Sequence, residues 1–79
     1  MTLPSRSEIF RSALRDLDRS RNELSSARDW LNSDWAPVGS ALTPRAGDAR
    51  RTALRQIAEA KDAIDVAKGE ILAALEDLG

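Results

Sequence analysis

The sequence predicts an all-α fold, an antiparallel two-helix hairpin with a coiled-coil-like seam of large and small residues, dimerising into a four-helix bundle. Three observations predict it. Apolar residues recur every seven positions in two separate stretches, and the prolines and most of the glycines fall near the ends of those stretches. The chain is also poor in large apolar side chains: 42% of its 79 residues are hydrophobic, but 13 of these are alanine.

The first helix is expected over about residues 5–33. Ser5 and Glu8 have the spacing of a capping box just ahead of Ile9 and Phe10. Leu3, Phe10, Leu17, Leu24 and Leu31 then repeat every seven residues and define position a, with Ala13, Ser20 and Ala27 at position d. A seven-residue repeat is the signature of a left-handed supercoil seam.

The connection, about residues 34–43, contains Pro37, Gly39 and Ser40. Thr43-Pro44 reads as an N-cap followed by proline at the first helical position, where a missing N–H costs nothing. The second helix is expected over about 44–78, with Ile57, Ile64, Ile71 and Leu78 at a, and Ala53, Ala60, Ala67 and Ala74 at d. One large and one small residue per heptad lets the axes approach toward the short end of the roughly 8–10 Å range. So short a loop between long helices makes them antiparallel neighbours. The charges agree: that pairing sets Arg6, Arg11 and Arg15 beside Glu70, Glu76 and Asp77, and Asp29 and Asp34 near Arg45, Arg50 and Arg51. Displacing the first helix by 47 positions also aligns Asp18 with Asp65, Arg21 with Lys68, and Glu23 with Glu70.

The chain reads as a single domain, residues 1–79, and chains of this length seldom gain more than about 3–5 kcal/mol from one core. Cysteine and histidine are both absent, so neither a disulfide nor a histidine-held metal adds to that. A partner chain is the remaining means of support. Leu14, Leu54 and Leu75 sit at e beside the seam, with Leu72 and Ala58 at b. Leu14, Leu72 and Leu75 then form an apolar patch near the termini, a candidate protein interface for a second copy, making a homodimer, or for a larger protein. Gly69 lies at the outward f position and costs about 1 kcal/mol against alanine. It is either a tolerated surface glycine or a point of close approach by a partner.

Absence of cysteine and histidine excludes thiol and imidazole nucleophiles, zinc sites and histidine bases. Asp16, Asp18, Asp62 and Asp65 have ordinary polar-face spacing, without the glycine-bearing loop that calcium needs. No glycine loop to cradle phosphate is present, and Ser25 and Ser26 have no base beside them. The expectation is a non-enzyme with no cofactor and no metal.

The formal charge of −1 shows no bias toward nucleic acid or acidic lipid. The N-terminal residues lack the apolar core of a signal peptide, and no apolar run nears the roughly 18–20 residues needed to cross a bilayer. A cytoplasmic protein is expected, virion-associated if phage-encoded. Ten of the twelve basic residues are arginine, which points to a GC-rich bacterial or phage genome.

Arg45, Arg50, Arg51 and Arg55 crowd the first turns of the second helix, where the macrodipole prefers acids. With Arg28, Trp30 and Trp35 they are candidates for contact with a partner or with nucleic acid. Set against this is an inter-helix charge lock with Asp29, Asp34 and Asp48. The two tryptophans are expected to cap the open end of the seam and pin the loop.

The layering of small and large residues resembles the Rop family of RNA-binding helical hairpins in architecture alone, with no contact residues to map. Trp35-Ala36-Pro37-Val38-Gly39 lacks the spacing of the secreted Trp-x-Gly hairpins, so neither family is assigned. The function these observations predict is a non-enzymatic protein–protein interaction module, structural or regulatory, of the kind a small phage or bacterial accessory, inhibitor or assembly protein supplies. The alternative is a dimeric nucleic-acid-binding regulator using the loop-end arginines.

Overall fold

The structure, a computed structural model, describes residues 3–33 and 42–79. It holds two helices, α1 (Arg6–Leu31) and α2 (Pro44–Leu78), which pack against each other. Both bounds fall within two residues of those read from the capping signals. Most of the expected connection, with Asp34, Trp35, Pro37 and Gly39, lies outside the described residues.

Each helix starts where its first backbone N–H groups find an acceptor. At α1, Ser5 Oγ accepts from the Glu8 N–H at 3.2 Å, and the Ser5 N–H donates back to Glu8 Oε2 at 3.4 Å, completing the capping box. At α2, Thr43 Oγ1 accepts from the Ala46 N–H at 3.1 Å, with Pro44 at the first helical position. The C-terminal ends close through Asn32, whose N–H donates to the Arg28 carbonyl at 2.9 Å, and Gly79, whose N–H donates to that of Leu75 at 3.1 Å.

The helices run antiparallel. Arg50, near the start of α2, reaches the end of α1, while Arg21 and Asp18 in the middle of α1 pair with Asp65 and Lys68 further along α2. The result is a rod of 57 × 25 × 16 Å with a radius of gyration of 18.2 Å. A compact chain of the same length would have about 12 Å.

None of the described residues is buried. The accessible surface is 6265 Å², whereas a compact monomer of 8.6 kDa would expose about 4,700 Å². A pair of helices has one line of contact, and water reaches that line from both sides.

The seam differs from the expected one on α1. Phe10, Leu17, Leu24 and Leu31 face α2 and are half-buried, but the column beside them is Ser7, Leu14 and Arg21. The expected d residues, Ala13, Ser20 and Ala27, are exposed. α1 is therefore rolled by about 50° relative to an a/d seam. The roll brings Leu14 and the ion-pairing Arg21 onto α2, a larger contact than two methyls and a hydroxyl offer. α2 keeps its alanines in the seam. Ala53, Ala60, Ala67 and Ala74 are half-buried beside Ile57, Ile64 and Ile71, and Leu54, Lys61, Lys68 and Leu75 are half-buried on the other flank.

Candidate protein-interaction surface

The heptad columns sort into two long sides, and the cross-helix ion pairs identify one of them. Arg21 donates to Asp65 through Nε–Oδ1 at 2.8 Å and Nη2–Oδ2 at 3.2 Å, a bidentate pair. Lys68 pairs with Asp18. In both pairs the base stands at e and the acid at b, so the e and b columns of both helices share this clamped side. The two Asp-x-x-base motifs, 18–21 and 65–68, are the ones aligned by the 47-residue displacement, and each supplies the other's partner. The hydrogen bond from Arg21, reinforced by its charge, holds the Asp65 carboxyl below its usual range against partial desolvation, and Asp65 in turn raises Arg21.

One heptad toward the termini, the same columns carry Leu14, Leu72 and Leu75. Of these three, Leu14 and Leu75 are half-buried in the seam, leaving Leu72, 50% exposed, as the free leucine. One heptad toward the loop, Arg21, Arg28, Leu54, Ala58 and Lys61 border a hollow.

On the opposite side lie the d and g columns. Here α1 presents exposed Ala13, Ser20 and Ala27 at d, and at g Ile9 at 55% and Trp30 at 74% exposure with the exposed acids Asp16 and Glu23 between them. α2 presents Ala46, Ala53, Ala60, Ala67 and Ala74. At the loop end this side holds an apolar groove of about 360 Å³ lined by Leu31, Leu42, Ala46, Ala49, Arg50 and Ala53. No ion pair crosses it among the described residues. Alanine methyls are too short to screen the neighbouring leucines and isoleucines from solvent, which makes this the open side.

Trp30 does not cap the seam, contrary to expectation. It precedes Leu31 by one position, about 100° round the helix, and is 74% exposed. Trp35 lies outside the described residues. Gly69 faces open space, with no atom within 4 Å of where a Cβ would stand.

The expected terminal-end pairing of Arg6, Arg11 and Arg15 with Glu70, Glu76 and Asp77 is not formed among the described residues, whose cross-helix ion pairs lie at the hairpin's middle. At the loop end Arg50 is part-buried and donates from Nε to the Leu31 carbonyl and from Nη2 to Asn32 Oδ1 at 3.2 Å. It thus caps the C-terminus of α1. Arg51 pairs with Asp48 and Arg28 with its neighbour Asp29. Arg45 and Arg55 have no ion-pair partner among the described residues.

Among the described residues no group of acids is placed to hold a metal ion, and no helix is long and apolar enough to cross a membrane. No family model, curated protein or solved structure matches the chain.

Proposed function

We propose that the hairpin is a non-enzymatic protein–protein interaction module, structural or regulatory in role, whose open side is covered by another polypeptide. The observation that carries this reading is the absence of a single buried residue among those described. Roughly 1,600 Å² more surface is exposed than a compact chain of this mass would show, and most of the seam's leucines and isoleucines stay in reach of water. Such a pair of helices gains too little from its own contacts to offset the ordering of its backbone.

The test is unfolding followed by circular dichroism. The isolated chain at low micromolar concentration should be partly helical and melt without a sharp transition, and should gain helicity and cooperativity when its partner, itself included, is added. A sharp, concentration-independent melt of a monomer would falsify the proposal.

The nucleic-acid reading has less support, since Arg28, Arg50 and Arg51 are engaged in capping and ion pairs. Under that reading, binding falls steeply with salt and Arg50→Ala with Arg51→Ala weakens it.

A further inference from the structure

We infer that the polypeptide covering the open side is a second copy of this chain, docked so that the two α2 helices run antiparallel across a two-fold axis near Ala60, with the loops at opposite ends. This rests on the interaction-module reading and adds the occupant and its orientation.

The first support is area. A compact dimer of twice 8.6 kDa exposes about 7,800 Å², so two hairpins at 6265 Å² each must lose on the order of 4,000–5,000 Å² to become compact. Permanent homodimers bury roughly 2,000–5,000 Å², so one more copy is sufficient cover and no further chain is required.

The second support is charge. Between Pro44 and Lys61, α2 carries five basic and two acidic residues; between Asp62 and Leu78 it carries one basic and five acidic. The half-helices are therefore +3 and −4, and the sign changes at the helix's midpoint. Two α2 helices laid antiparallel set each positive half against a negative one, whereas laid parallel they would set like against like. α1 has no such polarity: three basic and three acidic residues up to Asp18, then three and two. Charge selects orientation through α2 alone.

The third support is register. The alanines α2 turns to the open side, exposed Ala46 and half-buried Ala53, Ala60, Ala67 and Ala74, are spaced symmetrically about Ala60, close to where the charge changes sign. An antiparallel partner meets the same surface it presents, as a two-fold interface requires. Acidic rim residues such as Glu70 then lie toward the partner's basic half.

The chain has no cysteine, so single introduced thiols report geometry directly. Wild type should sediment as a dimer at tens of micromolar. Ala60→Cys should cross-link to itself on mild oxidation, since its two copies lie at the axis, within the roughly 4.4–6.8 Å Cα separation a disulfide accepts. Ala46→Cys and Ala74→Cys should not cross-link alone but should do so when mixed and refolded together. Self-linking of Ala46→Cys and of Ala74→Cys would overturn the antiparallel arrangement. A monomer of low helicity would overturn self-pairing while sparing the interaction-module reading. A monomer with a sharp melt overturns both.

Discussion

Along one side of the hairpin the gap between the helices is bridged by Arg21–Asp65 and Lys68–Asp18; along the other it is bordered by alanines, and no charge crosses it among the described residues. Both sides flank the same apolar line, so the difference lies in what each does with water. On the clamped side Arg21 and Lys68 are half-buried beside the seam, and their charged ends meet the exposed carboxylates of Asp65 and Asp18. That side is finished in water. On the open side the d positions beside Leu17, Leu24, Ile57 and Ile64 are alanine or serine, too short to screen them, and under the proposed reading a second apolar face covers that line.

The largest expected effect breaks this contrast by charging one side at a time. Ala13, Ala27 and Ala58 are all exposed alanines on helices, equivalent in an isolated hairpin; the first two are on the open side and the third is on the clamped side. Ala13→Glu with Ala27→Glu should raise the dimer dissociation constant at least about 100-fold, roughly 2.7 kcal/mol, because docking would bury unpaired carboxylates. Ala58→Glu should stay within about 0.5 kcal/mol, as surface changes do. Sedimentation equilibrium reads both. Equal behaviour would mean that the two sides are not functionally different.

Next in size are the seam residues. Leu24→Ala should cost about 2–3 kcal/mol by urea denaturation, in the lower part of the range for leucine deletions because the site is half-exposed. Leu72→Ala, on the clamped side and 50% exposed, should cost under about 1 kcal/mol and leave the native mass unchanged. A loss of the dimer in Leu72→Ala would return the interface to the terminal patch of Leu14, Leu72 and Leu75.

Caps and periodicity carried most of the fold, since both are local: Ser5 with Glu8, and Thr43 with Pro44, fix the helix starts whatever α1 and α2 later touch. The roll of α1 was not legible. Position a is shared by a seam that uses d and one that uses e, and only the opposed Asp-x-x-base motifs at 18–21 and 65–68 tilt the choice. The 47-residue displacement exposes those motifs, yet pairing them needs the interhelical register. The arginines at the start of α2 look misplaced against that helix's own dipole. They look otherwise once the antiparallel hairpin brings the C-terminus of α1 alongside, where Arg50 meets the Leu31 carbonyl. A violation within one helix is here an ordinary C-terminal cap for its neighbour.

A smaller effect tests the clamp by acid. The Asp65 carboxyl titrates below its usual range because Arg21 binds its ionised form. Its stabilising contribution is therefore full above the unfolded value, near 3.9, and is lost as pH falls through the lowered folded value. Arg21, raised by the same pair, stays charged throughout and adds no pH dependence. Helicity attributable to the pair should be flat from about pH 7 to 5 and decline below about pH 4. Asp65→Asn should lack that component, and identical acid profiles for the two proteins would show that the clamp does not contribute.

The smallest expected effect concerns a position on neither side. Gly69 is at the outward f column, where an added methyl would meet no atom within 4 Å. Glycine in a helix interior costs about 0.8–1.0 kcal/mol relative to alanine, so Gly69→Ala should stabilise the protein by nearly that amount without weakening the dimer. If instead the substitution weakened assembly, a backbone must approach α2 there, and the hairpin would have a third working face besides the clamped and the open one. Stabilisation with assembly as tight or tighter leaves the outward face free of contacts and confines association to the open side.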